Sequence, residues 1–455
     1  MKIIILGANQ VGGALAEELV KEGHALTVVD SELARLQALE KQLDLRTLVG
    51  HPSHPSILRQ AGIETADMLI AVTHIDEVNI VACQVAYDLY RIPKKIACIR
   101  APEYLAYQNE LFNNENLAID FCISPEQLVT NFVAKLIEYP GALQVLEFAE
   151  GRVLMLAINP QPEGLLVGKS ISQLKEYLPV GEIRVVAIYR DGASLPLKGD
   201  TRIEIRDEIF FISEPAHIQA ALNAFGRLTE RNHRIMIAGG GNIGYRLAQA
   251  LEGNYQVKIL EQDLARATYI AEQLSNTTVL HATASDQELL LNENIANTDV
   301  FCALTNEDET NIMASLQAKR LGAHQVMSLI SRAAYVDLIQ GGGIDVAISP
   351  KQATISGILR YLRKGDVTNA YSLRRGAAEA IEIIVHGDER SSRVVNKTIE
   401  EIILPRGANI GAVIRGDEVM MAHHDTLIKS GDKVLVFVLE KESVSAIERL
   451  FRSTF

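Results

Sequence analysis

The chain is poor in the features that mark secreted, membrane-spanning and nucleic-acid-binding proteins. Its 455 residues include four cysteines, Cys83, Cys98, Cys122 and Cys302, with no Cys-x-x-Cys pair and no histidine cluster at metal-ligand spacing. That excludes a disulfide framework or a zinc module and predicts reduced, mostly buried thiols. No apolar run approaches the roughly 18–20 residues needed to span a bilayer. The opening Met-Lys-Ile-Ile-Ile-Leu-Gly turns to glycine too early for a secretory leader, so the predicted location is the cytoplasm. Positive charge is also in deficit. A net charge of −13 argues against nucleic acid or an anionic membrane as direct partner, because phosphate binding needs a basic field. Low-complexity tracts are lacking, and 48% hydrophobic with 22% charged residues is the composition of an ordinary folded protein. At roughly 100–200 residues per domain, the length predicts three or four domains.

What the sequence does have is an internal repeat. Gly7 and Gly12 match Gly239 and Gly244, Asp67 matches Asp299, and Thr73 matches Thr305, each 232 positions apart. Asp76-Glu77 with Asn79 return as Asp308-Glu309 with Asn311 at the same spacing. Ile119-Asp120 and Ile123-Ser124-Pro125 reappear as Ile344-Asp345 and Ile348-Ser349-Pro350 with an offset of 225, which Asp207 and Asp432 keep.

Each half reads as two pieces, giving four predicted domains at 1–135, 143–225, 232–365 and 372–453. The first piece of each half alternates short β-branched runs with amphipathic stretches, as in Lys2–Leu6, Ala25–Val29, Met68–Val72 and Lys95–Ile99 with helices between them. That pattern predicts an α/β fold with a Rossmann-like, doubly wound parallel sheet. The second piece predicts a small α/β module. It begins with a strand such as Arg152–Ile158, has a short helix near Ser170–Glu176, and continues with strands around Arg184–Tyr189 and Glu208–Ile212 before a closing helix. The polar, basic stretch Phe225–His233 reads as the linker between halves.

In the second copy, the hydrophobic run Arg234–Ala238 leads into Gly239-Gly240-Gly241-Asn242-Ile243-Gly244, and Leu247, Ala248 and Leu251 then mark one helix face. The glycines permit a tight turn, close approach to a diphosphate and close helix packing, while the helix N-terminus supplies amide donors. Glu261, 17 positions after Gly244, stands where a carboxylate accepts ribose hydroxyls, which favours NAD or an adenine nucleotide over NADP. The first copy reads Gly7-Ala8-Asn9-Gln10-Val11-Gly12 with Asp30 closing the next strand. Its middle glycine is replaced. Asparagine tolerates left-handed backbone angles, so the turn can form, but the side chain would intrude where a diphosphate passes. Thr73-His74 and Thr305-Asn306 end the fourth strand of each copy, at the edge where doubly wound folds bind ligands. The alternative for each threonine is a bond to its own following turn. Arg100 ends the next strand and is a candidate phosphate partner or a surface ion pair.

These motifs, with Tyr139-Pro140-Gly141-Ala142-Leu143-Gln144, Ser285-Asp286-Gln287-Glu288-Leu289-Leu290 and Gln352-Ala353-Thr354-Ile355, cover the whole chain. Together they resemble the TrkA family of regulatory subunits of bacterial Trk potassium uptake systems. In that family RCK (KTN) nucleotide-binding domains alternate with RCK-C (TrkA-C) modules. The resemblance implies binding of NAD(H) and of ADP or ATP, assembly into a homo-oligomeric ring, expected to be a tetramer, beneath a membrane potassium-pore subunit of TrkH type, and gating of potassium flux. It implies a cytoplasmic protein held peripherally at the inner face of the membrane by that partner. Carried over by position, the family's ligand contacts fall on Gly7–Val11, Asp30, Thr73, His74, Cys98 and Arg100, and on Gly239–Ile243, Glu261, Thr305 and Asn306. Three departures stand out: Asn9 for glycine, Cys98 where arginine is common, and His281-Ala282-Thr283-Ala284 in place of a Gly-Asp-Ala segment.

A dehydrogenase would need an acid or base and a substrate pocket beside the cofactor fold. His217, His386, His423 and His424 in the small modules form no such constellation and read as surface residues. The expectation is a regulator without enzyme activity. The alternatives are an NAD-dependent oxidoreductase and a stand-alone redox or nucleotide sensor.

Overall fold

In the computed structural model the described residues are all except 179–182, 227–232, 340–342, 363–365, 375–376 and 454–455. Most of the stretch read as a linker therefore lies outside the described residues. The chain divides into two compact units, Met1–Val129 with Ser349–Tyr361, and Thr130–Ile348 with Leu362–Phe455.

The first unit is built on six parallel strands, β1 (Lys2–Leu6), β2 (Ala25–Asp30), β3 (Arg46–Val49), β4 (Met68–Ala71), β5 (Lys94–Cys98) and β6 (Phe121–Ile123). They lie in the order β3-β2-β1-β4-β5-β6. The apolar run Ile3–Leu6 is buried throughout, as a central strand covered on both faces must be. The bounds of the edge strands β3 and β6 are not legible in the sequence, because both are short and half-exposed and show no clean alternation. Residues Ser349–Tyr361, which include most of the helix Pro350–Leu362, belong to this unit. Tyr361 stacks on Phe121 with ring centroids 3.9 Å apart, and Gly357 lies so close to Leu128 that a Cβ there would sit 2.8 Å from its Cδ1.

The second unit contains the other doubly wound sheet and both small modules. The first module consists of β7 (Ala142–Phe148), β8 (Val153–Ile158), β9 (Ile183–Arg190), β10 (Ala193–Ser194) and β11 (Asp207–Ser213), in the antiparallel order β10-β9-β11-β8-β7. The parallel sheet has β12 (Arg234–Ala238), β13 (Gln256–Glu261), β14 (Thr277–His281), β15 (Val300–Ala303), β16 (Gln325–Leu329) and β17 (Val346–Ile348), in the order β14-β13-β12-β15-β16-β17. The second module has β18 (Val367–Leu373), β19 (Ala378–Ile384), β20 (Ala408–Arg415), β21 (Glu418–Met421) and β22 (Lys433–Val438), in the matching order β18-β19-β22-β20-β21. The opening strands β7 and β18 are additions to the sequence reading.

The two modules share one core. Phe148, Met155, Phe210 and Ile212 from the first pack with Ala380, Leu435 and Phe437 from the second, all at most 1% exposed. Burying each large side chain contributes about 1.5–3 kcal/mol, so apolar area is the main term holding these sheets together, with polar links around it. Those links still fix the register: Ala149 N–H donates to Glu382 Oε2 at 2.8 Å and Asn409 Nδ2 to the Val186 carbonyl at 2.6 Å. Each module also closes its own hairpin with a buried aspartate on an arginine, Asp207 with Arg190 and Asp432 with Arg415. Of the histidines read as surface residues, His386 and His424 are exposed, whereas His217 and His423 are half-buried because helix and loop packing cover them.

Candidate nucleotide sites

Both parallel sheets end in the same loop for the same steric reasons. Gly7 and Gly239 each adopt φ +105°, and a Cβ on either would press on the backbone of Thr73 or Thr305. Gly12 and Gly244 sit on the first helix turn, where a Cβ would collide with the carbonyl oxygen of Gly7 or Gly239. These four glycines bring strand, loop and helix into contact. The middle position has a different role from the one expected. Asn9 (φ −71°, ψ −174°) and Gly241 (φ −63°, ψ −170°) are both extended N-cap residues, so neither needs left-handed tolerance. The left-handed turn is made at Gly7 and Gly239, two residues earlier.

At Gly241 an added Cβ would meet nothing within 4 Å, and no side chain caps helix Asn242–Leu251. The first amides of that helix therefore face an open cradle. In the first copy the cradle is filled. Asn9 Oδ1 accepts from the Val11 and Gly12 amides, both at 3.0 Å, and Nδ2 donates to the Val72 carbonyl at 2.6 Å.

The two carboxylates stand at the ends of β2 and β13. Asp30 accepts from Ala8 N–H (2.6 Å) and Glu32 N–H (2.8 Å), and Glu261 from Gly240 N–H (2.7 Å) and Asp263 N–H (2.8 Å). Each thus ties its glycine loop to the next strand. The extra methylene of Glu261 is matched by the missing one at Gly240, where a Cβ would lie 3.0 Å from Glu261 Oε2 and overlap Ile270 Cδ1. Gly240 therefore has a packing reason of its own, independent of any ligand.

The strand-end threonines are held by a buried asparagine. Thr73 Oγ1 donates to Asn79 Oδ1 at 2.7 Å, and Asn79 Nδ2 donates to the carbonyls of Thr73 and Cys98. Thr305 and Asn311 repeat the arrangement, with Leu329 in place of Cys98. Asn79 and Asn311 are fully buried and staple β4 to β5 and β15 to β16. In the sequence the two asparagines stand out only as markers of the repeat. The threonine hydroxyls are thus engaged inward and with their own turns, while His74 and Asn306 are exposed beside them.

Cys98 is 1% exposed, and burial pushes its thiol up to about 12. Its side chain packs in the core rather than presenting a polar group to the crevice. Arg100 does reach the crevice edge: its Nη1 donates to the Thr73 carbonyl at 3.0 Å and lies 3.8 Å from Asp76. At the matching position the second copy has Ser331, whose N–H is held by Asp308 as Arg100 N–H is held by Asp76. The second copy has a different cation that the sequence reading missed. Arg266 Nε donates to the Gly240 carbonyl at 2.8 Å, and its guanidinium lies 5.7 Å and 5.2 Å from the Tyr245 and Tyr269 ring centres. The signal was an arginine five residues after Glu261, beside tyrosines at the facing positions of two helices.

At the carboxyl ends of the parallel strands the fold thus gathers Gly7–Gly12, Asp30, Thr73 and Arg100 in one copy, and Gly239–Gly244, Glu261 and Thr305 in the other. Four segments match known domain families: residues 3–125 and 235–350 match the TrkA-N domain, and 155–226 and 389–452 the TrkA-C domain. A Trk system potassium uptake protein TrkA from Halomonas elongata is 53% identical over 452 residues, covering 99% of both chains. One from Vibrio alginolyticus is 52% identical with the same coverage. Among solved structures, one described as the GsuK channel bound to NAD superposes with a TM-score of 0.61 at 16% identity, over 99% of this chain and 78% of that one. With its tandem TrkA-N and TrkA-C domains and full-length relatives of this kind, the chain belongs to the TrkA family of Trk system potassium uptake proteins.

Proposed function

We propose that the chain is the nucleotide-binding regulatory subunit of a Trk-type potassium uptake system, and that it senses NAD(H) or an adenine nucleotide rather than catalysing a reaction. The observation that carries this reading is the open, amide-lined cradle at Gly239–Gly244 with Glu261 behind it. The names of the full-length relatives supply the potassium system, and a channel of this fold with NAD bound supports the ligand class. The residues fit such a ligand: Gly241 leaves room for a diphosphate against the helix amides, and a carboxylate at the ribose position disfavours a 2′-phosphate.

In this reading the chain works as a homo-oligomeric ring, expected to be a tetramer, docked on a membrane pore subunit of TrkH type and so held peripherally at the membrane. Regulation requires that nucleotide bind one ring geometry better than another, since equal affinity for both would shift nothing. The test is rubidium flux into proteoliposomes holding the pore subunit, with and without this chain, at graded NAD, NADH, ADP and ATP. Flux that responds to nucleotide only when the chain is present supports the reading. Flux indifferent to the chain, or turnover at the nicotinamide absorbance band with a small-molecule substrate, would favour the oxidoreductase.

A further inference from the structure

We infer that Asn9 is a built-in substitute for phosphate, so that the first copy excludes dinucleotides and nucleoside diphosphates and the chain takes its diphosphate ligand at the second copy alone. This inference rests on the nucleotide-binding reading above and assigns that ligand to one of two sites.

A phosphate at a helix N-terminus is held by amide donors that the helix itself leaves unused. In the first copy, two of those donors, Val11 N–H and Gly12 N–H, are taken by Asn9 Oδ1. The other end of the same amide group is anchored too, since Nδ2 donates to the Val72 carbonyl at the end of β4. Two donors on one side and an acceptor on the other also determine which way the amide points. The side chain therefore spans from the loop after β1 to the end of β4. Strands β1 and β4 are the neighbours at which the sheet order reverses, and a doubly wound fold binds its ligand in that crevice. A diphosphate entering there would have to break three hydrogen bonds and displace the strap before making its own.

The second copy is the control that the molecule itself supplies. Its cap residue Gly241 has backbone angles within about ten degrees of those of Asn9, with open space around the Cβ position. The two loops therefore differ in a side chain and not in backbone shape, and each residue can be exchanged for the other without strain.

The test is titration calorimetry of the full chain with NAD and with ADP, comparing wild type with Asn9→Gly, Asn9→Ala and Gly241→Asn, and with melting curves to verify folding. Wild type should bind one nucleotide per chain. Gly241→Asn should weaken that binding at least about tenfold, the equivalent of ~1.4 kcal/mol. Both Asn9 variants should open a second site per chain, and Asn9→Ala separates loss of the strap from the added freedom of glycine. Two equivalent sites in wild type, or a stoichiometry of one in both folded Asn9 variants, would overturn the assignment while leaving the nucleotide reading intact. Absence of binding in wild type and both Asn9 variants would instead remove the nucleotide reading itself, and this inference with it. Should Gly241→Asn fail to fold, the Asn9 variants decide the matter.

Discussion

The two parallel-sheet domains share a strand order, a loop conformation and an asparagine staple, yet they solve the same local problems with different side chains. In the first, buried Lys95 on β5 pairs with Asp120 at 2.9 Å. In the second, Val326 takes the strand position, and the aspartate, Asp345, is paired instead by Lys319 from the adjoining helix at 2.8 Å. Lys319 corresponds to Tyr87, whose ring lies 4.8 Å from the Lys95 ammonium. The cation has moved between strand and helix while the aspartate kept its bonds to the strand backbone, from Lys95 N–H in one copy and Val326 N–H in the other. Here the two copies conserve the backbone contacts and exchange the side chains around them.

The largest effect is expected where this exchange is broken on one side. Lys95→Val should destabilise the first unit by about 3 kcal/mol, because it leaves Asp120 without its buried cation. Adding Tyr87→Lys should restore most of the loss by importing the second copy's arrangement, measured as urea midpoints of the single and double variants. An unrecovered double variant would mean that the two arrangements are not interchangeable.

Next come the close glycine contacts, which the comparison treats as equal. Gly12→Ala and Gly244→Ala should each cost about 2–3 kcal/mol, since each Cβ must push the first helix off its strand. Hydrogen exchange in β1 and β12 would report this locally, and a loss confined to one copy would contradict the shared role.

A smaller, opposite-signed pair is expected at the caps. Asn9→Gly should lower the stability of the first copy by about 0.5–1 kcal/mol, and Gly241→Asn should raise that of the second by a similar amount, when nucleotide is absent. Saturating NAD should reverse the order, and differential scanning calorimetry with and without ligand checks both signs. Smallest of all, Lys319→Ala should cost no more than about 0.5 kcal/mol, because that pair is a third exposed and screened by solvent, in contrast to Lys95.

Much of this architecture was legible in the sequence. Four glycines at matched spacing, a carboxylate after each second β run and a 232-residue repeat were enough to propose two doubly wound sheets with small modules after them. The signal was strong because a buried parallel strand demands a continuous apolar run and the turn after it demands a glycine. The bounds of β3 and β6 were hidden because these are short edge strands, and β7 and β18 escaped notice because their alternation is interrupted: β7 places Leu143, Gln144 and Glu147 at half-buried or exposed positions. Arg266 went unread because its contact with the Gly240 carbonyl joins residues 26 positions apart, and only the folded helix aims it there.

From the residues alone came the duplication, the fold class and the positions of the two loops, since those depend on local periodicity and on residues that few alternatives can replace. Tertiary structure alone decided which loop is open. Asn9 could be counted as an obstruction from its size, but its binding of two amides and the Val72 carbonyl depends on β4 lying beside β1, a neighbour 63 residues away in sequence. Hydrogen bonds are short and directional, so a strap across a crevice exists only once both walls are in place.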